Sequence, residues 1–139
     1  MTTHKPILYL VDDDAAVRQS LAMLLLSRGL AGNLGSFESG EAFLAGAELH
    51  RCGCVILDMR MGGISGLQVL EELKQRESWL VVLFLSGHGD IQAAIAATQN
   101  GAFDWLEKPC EEQRLLDKVG AAMARASEVG EARQRWATL

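Results

Sequence analysis

Five short apolar runs alternate along the chain with amphipathic segments, and this alternation constrains the fold more than any other feature. The runs lie at residues 7–11, 30–37, 54–57, 80–85 and 102–106. Three of them are nearly continuous in Ile, Leu, Val and aromatic residues, as expected for strands buried on both faces of a parallel sheet. The run at 30–37 contains two glycines and an asparagine, and its polarity predicts an edge strand.

The segments between the runs have the period of amphipathic helices. The first, at residues 15–28, places apolar side chains on one stripe and is followed by Gly29, which is well placed to end it. Further helices are predicted at 42–49 (after Ser39), 67–75, 91–100 and 111–126. Five strand–helix units imply a parallel sheet covered by helices and joined by right-handed crossovers. The sequence therefore predicts a doubly wound α/β domain.

Length and charge fit one globular domain and exclude several classes of function. The 139 residues include 13 basic and 18 acidic side chains, for a formal net charge of −5. This acidity disfavours direct binding to nucleic acid or to an anionic membrane surface, because both need an excess of Lys and Arg. The longest apolar run, 79–85, is far shorter than the about 18 residues of a spanning helix, and residues 1–11 do not resemble a signal peptide. We therefore expect a cytoplasmic domain with no membrane partner.

The three cysteines, Cys52, Cys54 and Cys110, fit neither a disulfide framework nor a zinc site. Their number is odd, and the Cys-x-Cys spacing lacks the two-residue spacer and the second ligand pair of zinc sites. We expect reduced thiols that are buried or half-buried.

The C-terminal segment differs from the rest of the chain. An apolar heptad seam through Ala126 next reaches Gly130 and Arg133, so the seam fades. We assign residues 1–125 to the domain and 126–139 to a solvated helical extension or linker, rather than to a sustained coiled coil.

Acidic residues follow the first and third predicted strands. Asp12, Asp13 and Asp14 end the first run, and Asp58 ends the third. An aspartate at a helix start commonly caps free backbone N–H groups, which accounts for one or two of the three. If the first and third strands are neighbours, Asp12, Asp13 and Asp58 converge, and clustered carboxylates suit Mg²⁺.

Polar residues also follow the fourth and fifth strands. Ser86 can hydrogen-bond an anion or cap the next helix, although Asp90 is better placed as the cap. Lys108, followed by Pro109, would direct a cation at the acidic cluster. A carboxylate nucleophile, Mg²⁺, a lysine and a hydroxyl are together the components of phosphoryl transfer.

These segments, in this order, resemble the receiver domain of two-component response regulators over about residues 5–125. The segments are Val-Asp-Asp-Asp at 11–14, Leu-Asp-Met-Arg-Met at 57–61, Leu-Ser-Gly-His-Gly-Asp at 85–90 and Lys-Pro at 108–109. The third segment and the Trp-Leu-Glu-Lys-Pro segment at 105–109 most resemble receivers of the nitrogen-fixation-regulator type, which carry a helix-turn-helix output domain. The resemblance implies a flavodoxin-like fold with a five-stranded sheet in the order 2-1-3-4-5.

The resemblance also implies which residues react and which hold the metal. Asp58 would accept a phosphoryl group from the phosphohistidine of a sensor histidine kinase, and Ser86 and Lys108 would contact that group. Asp13 would bind Mg²⁺ directly and Asp12 mostly through water. Asp58 and the backbone carbonyl of Arg60 would complete the protein ligands.

The same resemblance implies a switch at other positions. Trp105 matches the switch aromatic, which is commonly Tyr or Phe in the family. His88 and Arg60 lie where the family tunes loss of phosphate, and we expect their long side chains to limit water access. Gly62 stands where the family usually has Pro.

The implied partners are a sensor histidine kinase and, after phosphorylation, a second copy of the chain bound through the fourth helix, fifth strand and fifth helix. DNA would be bound only by an output domain beyond Leu139, so we expect the chain to be cut from a longer regulator. As a switch it would phosphorylate and dephosphorylate itself, turning over no external metabolite.

Three alternatives remain open. An aspartyl-nucleophile phosphohydrolase of the haloacid-dehalogenase type wants a second acid two residues after the nucleophile, where this chain has Arg60. An interaction module independent of phosphorylation would leave the filled reactive positions unexplained. A flavin-binding domain would need a phosphate-cradling loop after the first strand, where Asp12–Asp14 would repel the ligand.

Overall fold

Five parallel strands alternate with five helices in the computed structural model, which describes residues 6–87 and 89–137. The strands are β1 (Ile7–Val11), β2 (Leu34–Phe37), β3 (Gly53–Asp58), β4 (Val81–Ser86) and β5 (Asp104–Glu107). The helices are α1 (Ala15–Ser27), α2 (Gly40–Gly46), α3 (Gly66–Gln75), α4 (Ile91–Gln99) and α5 (Glu112–Ala137). No helix in this part of the chain is long and apolar enough to cross a bilayer.

The strands form one sheet in the order β2-β1-β3-β4-β5. Val11 pairs with Leu57, Asp58 with Leu85, and Ser86 with Glu107. Because all the pairings are parallel, the carboxyl ends of the strands meet at one edge of the sheet. The predicted doubly wound fold and strand order are confirmed, and so is the position of β2 at an edge.

Alternating side chains of the strands feed two separate core layers. Tyr9 and Val11 of β1 lie in the layer with Phe43, Val69 and Phe84. Leu8 and Leu10, one residue out of phase, lie in the opposite layer with Leu25, Leu83 and Val119. Each fully buried side chain of this size contributes about 1.5–3 kcal/mol before entropic costs. The near-continuous apolar runs therefore arise because both faces of the central strands are covered.

Three helices end in the same hydrogen-bonded motif, which returns the chain to the sheet. At the end of α1, Gly29 N–H donates to the Leu26 carbonyl and Leu30 N–H to the Leu25 carbonyl. Gly29 has a φ of 71°, the left-handed conformation that glycine adopts without strain. The predicted end of this helix at Gly29 is confirmed.

The same two bonds follow α3 and α4. At α4 the left-handed residue is Gly101, with φ 111°, whereas at α3 it is Glu77, with φ 54°. A glutamate in this conformation carries strain that glycine would not.

Two predicted boundaries differ from the structure. The run at 30–37 contributes a strand only from Leu34, because Leu30 completes the end of α1. The last helix continues past 126 to 137 without a break, so the proposed boundary at residue 125 falls inside it. The extension is also only partly solvated, since Ala126 and Gly130 are buried. The Cys52 thiol donates to the Ala126 carbonyl at 2.8 Å and joins the extension to the segment before β3.

Candidate functional site

The carboxyl ends of four strands bring the predicted reactive residues together. Asp12 follows β1, Asp58 ends β3, Ser86 ends β4 and Lys108 follows β5. The pairing of β3 between β1 and β4 places Asp58 at the centre of this edge. This is the position where ligands bind in open parallel sheets.

The three consecutive aspartates after β1 have different partners. The Asp14 side chain caps α1, accepting from Ala16 N–H at 2.9 Å and Val17 N–H at 3.4 Å. Asp12 is buried, with one carboxylate oxygen 2.8 Å from Asp14 N–H, and the Arg18 guanidinium donates to its backbone carbonyl. Capping therefore accounts for one acid of the three, as the sequence suggested.

The other two aspartates form a carboxylate cluster with Asp58. One oxygen each from Asp12, Asp13 and Asp58 can be chosen so that all lie within 4.8 Å of one another. Asp12 and Asp58 are buried and Asp13 is exposed. An all-carboxylate set that is open to water on one side fits Mg²⁺, which binds few protein ligands and keeps several waters.

Gly62 contributes a contact that a proline could not make. Its backbone N–H donates to Asp13 Oδ2 at 3.3 Å. Proline has no N–H group, so glycine at this position lets the loop after β3 hold the exposed carboxylate of the cluster.

Lys108 supplies the positive charge that the cluster needs. Its Nζ lies 3.0 Å from Asp12 Oδ2 and 3.4 Å from Asp58 Oδ1. Burial lowers the pKa of Lys108, but its hydrogen bond to Asp12 and the charges of Asp58 and Asp12 outweigh this, so the net pKa is raised. The ammonium group therefore stays charged and bridges two buried carboxylates.

The pKa of Asp58 is higher than that of an ordinary aspartate. Burial and the neighbouring charge of Asp12 raise its pKa from 3.8 to about 6, against the opposing effects of Lys108 and the Arg60 backbone N–H. That N–H lies 3.4 Å from Asp58 Oδ1. At neutral pH the carboxylate is ionised and nucleophilic. Lys108 and the Arg60 N–H do not fully offset the cost of burying its negative charge beside Asp12.

The structure corrects the prediction that Asp90 caps the next helix. Asp90 occupies the N-cap position of α4, but its side chain makes no capping hydrogen bond within the described residues. It instead accepts from Arg60 Nε at 2.8 Å. The Arg60 side chain therefore points at Asp90, while its backbone belongs to the loop beside Asp58; His88, between Ser86 and Asp90 in sequence, lies outside the described residues.

Ser86 ends β4 and Trp105 lies in β5, and the contacts of both are with groups other than the carboxylate cluster. The buried Ser86 hydroxyl donates to the Leu106 carbonyl at 3.2 Å. Trp105 is half-buried, with Lys118 Nζ 5.5 Å from its ring centroid. The same Nζ donates to the Trp105 carbonyl at 2.8 Å. Sequence reasoning missed Lys118, whose position on the buried side of α5 was its only signal.

The geometry supports one kind of chemistry. A buried carboxylate oxygen faces a lysine ammonium group beside a potential Mg²⁺ site. This arrangement can attack an electrophilic phosphorus and stabilise the negative charge of the transferred group.

Comparison with known proteins assigns most of the chain, including the strand ends that form the site, to a known domain family. The family model described as "Response regulator receiver domain" matches residues 8–120. The Transcriptional regulatory protein FixJ of Azorhizobium caulinodans is 46% identical over 123 residues, covering 88% of this chain and 57% of that protein. The Transcriptional regulatory protein TdiR of Thauera aromatica is 42% identical over 130 residues, covering 94% and 56%. The chain thus spans less than two thirds of the length of these relatives.

Solved structures show the same fold. The Response Regulator StyR superposes with a TM-score of 0.88 at 36% identity, covering 97% of this chain and 67% of that one. The structure of FixJ-N superposes with a TM-score of 0.77 at 36% identity, covering 90% of this chain and 95% of that one.

Proposed function

Because the chain belongs to the response regulator receiver domain family, whose members are phosphorylation-dependent switches, we propose that Asp58 is its phosphoryl acceptor. One observation carries this assignment: the buried Asp58 carboxylate shares the Lys108 ammonium group with Asp12, and its Oδ1 lies 3.4 Å from Lys108 Nζ. Among the carboxylates of the cluster, Asp58 ends the central strand, between the strand that precedes Asp12 and the strand that ends in Ser86.

The donor is the phosphohistidine of a sensor histidine kinase. A carboxylate oxygen of Asp58 attacks the phosphorus, and the phosphorus–nitrogen bond of the donor breaks. The electron pair of that bond goes to the imidazole nitrogen, which takes up a proton, and Asp58 becomes an acyl phosphate. Hydrolysis by water later regenerates the carboxylate and releases phosphate.

Lys108 and Ser86 act on the transferred group. The Lys108 ammonium already lies beside Asp58 and neutralises one charge of the phosphoryl oxygens. The Ser86 hydroxyl donates to the Leu106 carbonyl before phosphorylation, so it must leave that carbonyl to contact a phosphoryl oxygen. This exchange would draw the loop at 86–90 inward and let Trp105 follow.

Receiver domains generally bind Mg²⁺ in an acidic pocket, and the carboxylates of this chain fit that ion. Asp13, Asp58 and the Arg60 backbone carbonyl would hold it directly, and Asp12 mostly through water. The ion supplies neutralisation of the negative charge that collects around Asp58.

The phosphorylated chain would act through a partner surface. The surface formed by α4, β5 and α5 would bind a second copy of the chain. A DNA-binding output domain beyond Leu139 would then control transcription, as the names of the FixJ and TdiR relatives suggest. The kinase partner would place the chain in the cytoplasm.

The alternatives have less support. An aspartyl-nucleophile phosphohydrolase would need a second acid two residues after Asp58, and this chain has Arg60 at that position. An interaction module without phosphorylation would not need the half-buried Lys108 between two buried carboxylates. A flavin phosphate would meet the carboxylates of Asp12 and Asp13 at the end of β1.

Intact mass spectrometry after incubation with acetyl phosphate and Mg²⁺ tests the assignment. We expect a single phosphoryl adduct on the wild-type chain, which disappears with Asp58→Asn or when EDTA replaces Mg²⁺. Asp14→Asn is a matched control, because Asp14 caps α1 outside the carboxylate cluster and asparagine caps about as well. An adduct that persists in Asp58→Asn would overturn the assignment.

A further inference from the structure

The loop after the acceptor and the start of α4 are joined by one ion pair. Arg60 donates to Asp90 Oδ1 from Nε at 2.8 Å, and its Nη2 lies 2.6 Å from the same oxygen. The Asp90 side chain is only 4% exposed, whereas the Arg60 side chain is 79% exposed. A buried carboxylate is therefore neutralised by a guanidinium that is mostly in water and free to move.

Asp90 is the N-cap residue of α4 but is not used as a cap. The corresponding side chains of α1, α2 and α3, which are Asp14, Ser39 and Ser65, all accept from backbone N–H groups of their helices. The pair with Arg60 thus diverts Asp90 from the free N–H groups at the start of α4. Those N–H groups are a second partner for the same carboxylate, which reaches them when its side chain rotates and the Asp90 backbone, at φ −98° and ψ 16°, moves to the extended conformation of the other three caps.

Arg60 also has a second possible partner. Its backbone N–H lies 3.4 Å from Asp58 Oδ1, so the side chain starts from a backbone position next to the acceptor oxygen. A phosphoryl group on Asp58 would bring more negative charge than Asp90 carries, and guanidinium groups bind phosphate through two parallel hydrogen bonds. Each member of the ion pair therefore has an alternative partner that phosphorylation would make more favourable.

We propose that phosphorylation transfers the Arg60 guanidinium from Asp90 to the phosphoryl group on Asp58, and that the released Asp90 carboxylate caps α4. This inference rests on the proposed function of Asp58. Asp90 cannot stay buried without a partner, because an unpaired buried charge is strongly destabilising. The exchange therefore couples the charge on Asp58 to the start of α4, a helix that carries the exposed Ile91 and Ile95.

A double-mutant cycle on the lifetime of the adduct tests the exchange. In the wild-type chain the phosphoryl group must compete with Asp90 for Arg60, whereas in Asp90→Asn the guanidinium is free to cover it and limit water access. We expect Asp90→Asn to lengthen the lifetime about threefold, the size of effect typical of a partly exposed ion pair. In the Arg60→Ala background, Asp90→Asn should have no effect on the lifetime.

The lifetime is measured as loss of the adduct by intact mass after the donor is removed. Glu72→Gln is the matched control, because it breaks another arginine–carboxylate pair, with Arg76 at 2.9 Å on α3, and should leave the lifetime unchanged. An equal effect of Asp90→Asn with and without Arg60, or no effect in either, would overturn the exchange. Failure of the wild-type chain to form an adduct on Asp58 would instead overturn the proposed function.

A measurement on the unmodified sequence covers the case in which Asp90→Asn does not fold. Hydrogen exchange of the Gln92 and Ala93 backbone amides, followed by NMR, should slow on phosphorylation as Asp90 becomes their cap. Unchanged exchange in a sample shown by mass to be phosphorylated would overturn the proposal.

Discussion

At the residue scale, Asp58 combines reactivity with a cost to folding. Its carboxylate is buried beside the charge of Asp12, and these two effects raise its pKa to about 6 despite the nearby Lys108. A carboxyl group with a higher pKa in the folded state binds its proton more tightly when folded. Ionisation of Asp58 at neutral pH therefore opposes folding, and this cost disappears when Asp58 is protonated in both the folded and the unfolded chain, below the ordinary pKa of 3.8.

The first prediction is that Asp58→Asn stabilises the fold at neutral pH in the absence of Mg²⁺. A shift from 3.8 to about 6 limits the gain in the free energy of unfolding to at most about 3 kcal/mol. The gain should be largest above the folded-state pKa and shrink as the pH falls from about 6 to about 4, since Asp58 is then protonated in both states. Urea unfolding at several pH values in EDTA measures it.

Asp14→Asn is again the control, because Asp14 is exposed and its capping role survives the change. It should alter the free energy of unfolding by less than about 1 kcal/mol. A loss of stability in Asp58→Asn at neutral pH would contradict the prediction.

The second prediction concerns the three thiols, which are all free. Cys54 is fully buried in β3, and burial raises the pKa of its thiol to about 12, whereas Cys52 and Cys110 are half-buried. Iodoacetamide at about pH 8 should therefore label Cys52 and Cys110 in the native protein and leave Cys54 unmodified, because only thiolates react. Peptide mass spectrometry locates the labels, and the urea-unfolded chain, in which Cys54 should also react, is the control. Labelling of Cys54 as fast as Cys110 in the native state would show that the β3 core opens readily.

At the element scale, the central strands and the helix ends could be predicted because their signals are local. β1 is buried on both faces, so its whole sequence is apolar, and its predicted bounds match the structure. The start of β2 could not be predicted, because the apolar Leu30 side chain packs on a core layer while its backbone completes the end of α1 and does not pair in the sheet. The extent of α5 beyond 126 was also obscured, because Gly130 has no side chain to signal its packing on Cys52, and the charged Arg133 lies over the Trp79 ring.

The third prediction compares two glycines of α5. At Gly120 an added Cβ would have Leu30 Cδ2 as its nearest neighbour, at 3.9 Å, whereas at Gly130 it would lie 2.7 Å from both Cβ and Sγ of Cys52. Gly120→Ala should therefore raise the free energy of unfolding by about 0.5–1 kcal/mol through helix propensity. Gly130→Ala should lose this gain, because the extension must move away from Cys52.

Thermal or urea unfolding measures the two variants, and the rate of Cys52 labelling reports on the contact itself. Gly130→Ala should increase that rate and Gly120→Ala should not. Equal stabilisation by both variants, with unchanged labelling of Cys52, would show that the extension does not depend on this contact.

At the scale of the whole molecule, much of the site followed from topology. Parallel strands bring their carboxyl ends to one edge, so Asp12, Asp58 and Lys108 could be placed together from their positions in the sequence. The partners of Ser86, Arg60 and Asp90 could not be predicted. Each of these side chains can reach more than one group. The Ser86 hydroxyl can bind the Leu106 carbonyl or an anion, and the Asp90 carboxylate can cap α4 or pair with Arg60. Side-chain torsions and local charge decide between these partners.

Exposed large apolar side chains in the described part of the chain lie in pairs on two helices, and Leu67 on α3 is a further single one. On α1, Met23 and Leu26 are exposed, and on α4, Ile91 and Ile95 are exposed. Ion-pair exchange at Asp90 would act on α4, since Asp90 immediately precedes that helix. The residue before α1 is Asp14, and its side chain caps α1 outside the carboxylate cluster. Phosphorylation should therefore change the properties of the α4 surface more than those of the α1 surface.

The last prediction is that a charge on α4 blocks phosphorylation-dependent self-association and that the same charge on α1 does not. Ile95 is 43% exposed and Met23 is 73% exposed, so glutamate is accommodated at either position without burying its charge. Ile95→Glu should weaken association of the phosphorylated chain at least about tenfold, because it loses apolar contact and places a carboxylate in the interface. Met23→Glu should leave association unchanged, and both variants should form the Asp58 adduct as the wild type does. Sedimentation velocity on samples with a known adduct fraction measures the association. If only Met23→Glu weakens association of the phosphorylated chain, the interface lies on α1 and the prediction is wrong.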